Sequence, residues 1–189
     1  MIGAISQKKL KKFTMKNKEI KLNLGCGNDY KEGYVNIDIN KNVRADIYAN
    51  FIEKIPFKSN SASEIFCKNL FEHIPNPLKF LMEIKRVLKI GGRAVIITSN
   101  ASYLIYHFPR KKAYHDHYNI NHPKEDQHYF MFQKGHLLAF SNMARMKTIK
   151  IDYYIANLNR GRDRAFQLLL GALIGKKFGY SDFLWIVEK

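Results

Sequence analysis

Leu22-Asn23-Leu24-Gly25-Cys26-Gly27 holds the sharpest chemical signal in the chain. Two glycines spaced by one residue after an apolar run let the backbone turn tightly and approach a ligand, because neither carries a Cβ. Asp38 closes the next run, Val35-Asn36-Ile37-Asp38-Ile39. A carboxylate at that place can accept hydrogen bonds from two ribose hydroxyls, so loop and acid together point to an adenosine-bearing ligand. A second candidate is Glu72-His73, which follows an apolar run; His73 is placed to act as a general base, and the competing reading is that the pair only orders a turn. A third is the stretch holding His107, His115, His117, His122 and His128 beside Tyr103, Tyr106, Tyr114, Tyr118 and Tyr129. It reads as a substrate-binding lid, with His128 taken as a further base candidate. Arg110, Lys111 and Lys112 in the same stretch suit a phosphate or carboxylate on the substrate. His115-Asp116-His117 comes with neither a cysteine nor an H-E-x-x-H pattern, so no metal site is expected.

The elements that must position these residues follow from periodicity. Ile20 to Leu24, Val35 to Ile39, a weaker Asp46 to Phe51, Ser63 to Lys68 and Arg93 to Thr98 read as strands. Between the last two, Pro77 to Leu88 reads as a helix capped by Asn76 and stopped by Gly91-Gly92, with Leu78, Leu81, Met82, Lys85 and Leu88 at helical spacing, joined by Ile84 and Val87. Strand, helix and strand with glycine punctuation is the pattern of a parallel α/β sheet. Further on, His136 to Arg145 is expected to be helical, Lys147 to Tyr154 and Phe183 to Val187 to be strands, and Arg160 to Gly179 an amphipathic helix buried as the last helix of the core, with membrane contact around Leu168 to Phe178 as the alternative. Residues 101–130 show no clean period, as binding loops often do.

The chain has 189 residues, 46% of them apolar, enough for one core. Lys and Arg number 32 against 16 Asp and Glu, a net charge of +16. That speaks of anionic partners rather than of fold, and a lysine-rich composition alone is the competing explanation. Cys26 and Cys67 form no CxxC pair, which speaks against a disulfide framework and for a reducing, cytoplasmic setting. No secretory leader is read at the start, and the apolar run Leu168 to Ile174 is far shorter than the roughly 20 residues of a membrane span. A single domain is expected over 1–189: a basic N-terminal arm over 1–18, a cofactor-binding half over 19–100, and a lid and substrate-side half over 101–189.

Lys21-Leu22-Asn23-Leu24-Gly25-Cys26-Gly27, then Gly33-Tyr34-Val35-Asn36-Ile37-Asp38, Ile55-Pro56-Phe57, Glu72-His73-Ile74-Pro75 and Leu88-Lys89-Ile90-Gly91-Gly92-Arg93 stand in this order. The series resembles class I S-adenosylmethionine-dependent methyltransferases over roughly residues 20–100. The resemblance implies a Rossmann-like, doubly wound, mostly parallel sheet with an antiparallel final strand, and S-adenosyl-L-methionine as cofactor. It also implies that Gly25, Cys26 and Gly27 face the methionine part, Asp38 the ribose hydroxyls, and Ile39, Asn50 and Phe51 the adenine. Asn50 stands where the family usually has Asp; its carbonyl can still accept, without the charge. Asn69 would line both the cofactor and the methyl-transfer face.

A dinucleotide is the competing ligand, but Asn28-Asp29-Tyr30-Lys31-Glu32 puts acids where its pyrophosphate would sit. The sulfonium and amine of adenosylmethionine tolerate them. Seven residues separate Gly27 from Val35, too few for a crossover helix, and Asn40 to Ala45 is as short. Crossovers after the first and second strands are therefore shortened. The sheet face they leave is expected to be covered by the N-terminal arm, by the late helix or by a second subunit in a homodimer.

Three function classes follow. The first is methyl transfer to an anionic small-molecule, glycan or lipid-linked acceptor. The second is RNA methylation, supported by charge and aromatic content. The third is a non-catalytic, basic nucleic-acid-binding protein that keeps the fold.

Overall fold

The computed structural model describes residues 19–107, 128–155 and 161–189, with residues 161–163 as backbone alone. The expected basic arm (1–18), together with Arg110, Lys111, Lys112, His115, His117 and His122, lies outside the described residues. Strands β1 (Ile20–Leu24), β2 (Val35–Asp38), β3 (Ile47–Tyr48) and β4 (Ala62–Lys68) precede the first α-helix, α1 (Pro77–Val87). Then come β5 (Leu88–Ser99), α2 (Lys134–Met143), β6 (Lys147–Tyr154), α3 (Gly161–Ile174), the single turn α4 (Lys176–Gly179) and β7 (Asp182–Glu188). The seven strands form one sheet in the order β3-β2-β1-β4-β5-β7-β6. All pairs from β3 to β5 are parallel, and β7 runs antiparallel between β5 and β6. This is the expected architecture, and the order reverses between β1 and β4, where ligands bind in open α/β sheets.

One face of the sheet carries the core. Leu22, Leu24, Ile65, Cys67, Ala94, Ile96, Trp185 and Val187 are buried there, as alternation along each strand requires. Phe71 sits at its centre, its ring 5.2 Å from Phe132, 5.6 Å from Trp185, 6.2 Å from Phe140 and 6.4 Å from Phe80. Asn23 and Phe66, register partners on β1 and β4, belong to the opposite face. No α-helix follows β1, β2 or β3.

A polar network ties these helix-free connections down. The Asn23 amide donates to Asn36 Oδ1 and to the Asp29 carbonyl, both at 2.8 Å. Arg86 of α1 donates to the carbonyls of Phe57 and Ile55, at 2.9 and 3.0 Å, while Glu83 accepts from Ile55 N at 3.0 Å. The segment Ile55-Pro56-Phe57 is thereby fastened beneath α1.

Three local expectations need correction. Helix α1 ends at Val87, not at the glycine pair: Leu88 is already extended and pairs with Ala62, so Gly91 and Gly92 lie within β5. Pairing with β4 decides the boundary before the glycines are reached. The buried face of α1 is Pro77, Phe80, Leu81, Ile84 and Val87, while Met82 is 54% exposed. The third expected strand shrinks to Ile47–Tyr48. Asn76 does cap α1, its Oδ1 accepting from Lys79 N at 3.0 Å.

Candidate active site

The turn after β1 is set by its backbone. Gly25 has φ +63°, and its N–H and that of Cys26 both donate to the Ile37 carbonyl, at 2.9 and 3.2 Å. A Cβ on Gly25 would stand 2.9 Å from Leu70 Cδ1, so this position needs glycine both for its dihedral and for the approach of the β4 loop. Asp38, nearly buried, takes the Gly27 N–H on Oδ2 at 2.7 Å and the Asn40 N–H on Oδ1 at 2.8 Å. Each carboxylate oxygen has a second lone pair to offer. Cys26 is buried, and that burial, reinforced by the Asp38 charge, pushes its thiol up to about 11. At neutral pH it is a protonated thiol, not a nucleophile.

A cleft of about 500 Å³ opens at this edge, lined by Asn23, Gly25, Cys26, Gly27, Asn28, Asp29, Phe66, Lys68 and Asn69. Asn69 holds φ +49°, a conformation that asparagine tolerates better than most residues, directly after β4. Lys68 Nζ and Asp29 Oδ2 pair at 3.2 Å across the cleft. Sequence reading passed over Lys68; its place as the last residue of β4, on the same face as Asn23 and Phe66, is the signal that would have found it. Of the residues expected at the adenine, Ile39 is 61% exposed beside Asp38. Asn50 uses its Oδ1 to accept from Ile52 N at 3.1 Å. Phe51 is buried in the core, 6.3 Å from Phe80.

A second cluster, past the end of β4, is assembled from distant segments. The 3-10 turn Phe71–His73 follows β4. Glu72 is buried, with Oε2 accepting from the Thr98 hydroxyl at 2.8 Å and Oε1 from the Ser99 hydroxyl at 3.0 Å. Its carbonyl accepts from the N–H groups of Tyr129 and Phe130, at 2.9 and 3.2 Å, which brings His128 alongside. The His73 and His128 rings then meet edge to face, 4.4 Å between centroids. Donor atoms of Glu72, His73 and His128 all lie within 4.8 Å of one another, a span that a divalent cation could also bridge. Tyr103 and Tyr106 are buried, 4.9 Å apart. Burial, with the Asp182 and Glu72 charges behind it, holds the Tyr106 phenol well above its usual range, so it stays a neutral hydrogen-bond donor. His107 is engaged with the Ala101 carbonyl at 2.9 Å. Thr98, Ser99 and Glu72 form the support that sequence reading did not foresee as a unit.

Glycine turn, acid at the end of β2 and strand order together define a class I methyltransferase fold. Comparison with known proteins agrees. Residues 22–96 match the family described as methyltransferase domain. An uncharacterised protein of Methanocaldococcus jannaschii is 35% identical over 109 residues, 51% of this chain and 48% of that protein, so the chain spans about half the length of this curated relative. A SAM-dependent methyltransferase of Archaeoglobus fulgidus superposes with a TM-score of 0.62 at 15% identity, covering 97% of this chain and 90% of the other. The methyltransferase in complex with the Haloferax volcanii Trm112 methyltransferase activator does so with 0.61 at 14% identity, covering 95% and 88%. The chain therefore has the class I methyltransferase fold, and its residues 22–96 match the methyltransferase-domain family.

Proposed function

We propose that this protein transfers a methyl group to a hydroxyl or amine of an anionic small-molecule, glycan or lipid-linked acceptor, with His73 and His128 as the proton-accepting pair. The observation that carries this reading is the meeting of the two imidazoles beside the cofactor edge, 4.4 Å apart, with Asn69 on the same β4 loop as His73. The residues in the cleft and Asp38 beside it fit the methyl donor by their chemistry. Asp38 has lone pairs for two hydroxyls, and Lys68 and Asp29 offer opposite charges to the carboxylate and amine of an amino acid. Bound there, S-adenosylmethionine supplies an electrophilic methyl group.

The chain's own contribution is placement and proton handling. Alignment of acceptor and donor is worth roughly 7–11 kcal/mol in well-oriented reactions. One imidazole takes the acceptor proton, and the buried Glu72 carboxylate, locked by two hydroxyls, provides the countercharge.

Calorimetric titration with S-adenosylmethionine, for the native chain and for Asp38→Ala, tests the cofactor assignment. Acceptor turnover by His73→Ala and His128→Ala tests the base pair. A metal chelator is expected to leave turnover unchanged; loss of activity on chelation with recovery on adding Mn²⁺ would move the His73–His128–Glu72 cluster to metal binding.

A further inference from the structure

Helix α3 is docked inside out. It meets the rest of the molecule through Gln167 and Gly171, one turn apart on one side. Gln167 is buried, and its side-chain carbonyl accepts from Ser181 N at 3.1 Å. Gly171 lies so close to Tyr180 and to the backbone of Gly179 that a Cβ at either glycine would overlap its neighbour. The Asn100 amide then donates to the carbonyls of Lys177 and Tyr180, both at 2.8 Å, clamping α4 to the end of β5. Polar and small residues thus face inward.

The large apolar residues face water. Phe166, Leu169 and Leu173, at i, i+3 and i+7 on one face, are 46%, 56% and 71% exposed. Leu168, Ile174 and Phe178 flank them, each also exposed. The expectation that this helix closes the core is therefore overturned. An apolar surface of this kind on a folded domain marks a partner.

The charges around it say which. From Arg164 to Ser181 there is no acidic residue. Lys176 and Lys177 are exposed at the end of the apolar stripe, with Lys177 Nζ 5.2 Å from the Phe178 ring. Lysines on an aliphatic stem beside an apolar face can keep their ammonium groups among anionic headgroups while the face sinks below. Fourteen residues span about 21 Å, and no helix among the described residues is long and apolar enough to cross a membrane. The geometry points to α3 and α4 lying flat on an anionic bilayer, and we propose that this is how the domain docks. Asn100 clamps α4 and adjoins Ser99, which holds Glu72, so docking would bring the His73–His128 edge close to the membrane. An amphiphilic, lipid-borne acceptor follows from this, a consequence that rests on the methyl-transfer reading, as the docking itself does not.

The test is co-sedimentation of the full chain with vesicles of phosphatidylcholine alone and of phosphatidylcholine mixed with phosphatidylglycerol. Binding to the mixed vesicles is expected, with partitioning reduced on the order of tenfold in Leu169→Glu/Leu173→Glu and similarly in Lys176→Glu/Lys177→Glu. Retained far-ultraviolet circular dichroism shows that the variants fold; a misfolded leucine variant leaves the lysine variant to decide. Absence of binding to the anionic vesicles overturns the proposal, as does equal binding by native chain and variants. Sedimentation velocity adds a third way to overturn it: a native dimer that the leucine variant turns into a monomer would assign the stripe to a second copy. Titration with S-adenosylmethionine is scored separately, so failure of the cofactor reading and failure of docking cannot be confused.

Discussion

At the edge proposed for the cofactor the backbone makes the turn, whereas at the proposed acceptor edge side chains from three distant segments come together. The Gly25–Gly27 turn, the Ile37 carbonyl and Asp38 are neighbours across β1 and β2, and their hydrogen bonds follow directly from strand pairing. On the other side, Glu72 and His73 come from the turn after β4, Thr98 and Ser99 from the end of β5, and His128 from the segment preceding α2. The first arrangement suits a ligand shared by many enzymes, since main-chain groups do not vary. The second can change its acceptor by changing a few side chains on a fixed support, a division common where loops carry function on a rigid scaffold.

That contrast is broken most severely at the acceptor edge. His73→Ala and His128→Ala are each expected to lower kcat about 10²- to 10⁴-fold, the usual worth of a general base, while affinity for S-adenosylmethionine stays within twofold or so. A matched loss of cofactor affinity would show that the two edges are not separate. Single-turnover kinetics beside calorimetry reads both quantities. At the cofactor edge, Asp38→Ala removes acceptors for two loop N–H groups and for the ligand hydroxyls. Charge-assisted hydrogen bonds contribute about 1.5–3 kcal/mol each, so cofactor affinity should fall on the order of 10²-fold or more, with the His73–His128 contact intact.

Smaller effects sharpen the comparison. Gly25→Ala places a methyl group 2.9 Å from Leu70 Cδ1 at φ +63°, and the left-handed backbone alone costs about 1–2 kcal/mol. Thermal denaturation should show a loss of several degrees. Pairing it with Leu70→Ala relieves the clash but not the dihedral, so recovery should be partial; full recovery would mean that packing alone demands the glycine.

The glycine turn and its carboxylate partner were legible in the sequence because Gly25, Gly27 and Asp38 end two strands that pair side by side. The acceptor edge was legible only as a list of histidines. His73 and His128 stood among seven, and nothing local told that the Glu72 carbonyl would capture the backbone at Tyr129 and Phe130 and so bring the two rings together. Helix α3 misled for a related reason. Its Leu-rich run fits a core helix by composition, and only the tertiary contacts of Gln167 and Gly171 reveal that the apolar side is turned outward. The glycine pair at 91–92 failed as a stop signal because Leu88 finds a strand partner in Ala62 first.

The gentlest probe concerns how the cofactor half holds its helix-free connections. Glu83 lies in an ion pair with Arg86 at 2.6 Å and accepts from Ile55 N, and the Arg86 hydrogen bond holds its carboxyl below the usual value of 4.5. Because the folded-state value is depressed, the stabilisation is complete above the unfolded value and is lost as pH falls through the lower, folded one. Urea midpoints measured from neutral pH downward should therefore drop for the native chain in the acid range. In Glu83→Gln this part of the drop should be absent, with a neutral-pH cost of about 1 kcal/mol or less, since Arg86 is partly exposed and surface pairs are worth little. An acid dependence unchanged in Glu83→Gln would mean that the network beneath α1 does not carry charge-dependent stability. The Ile55–Phe57 segment would then be held by its buried side chains, Ile55 and Phe57.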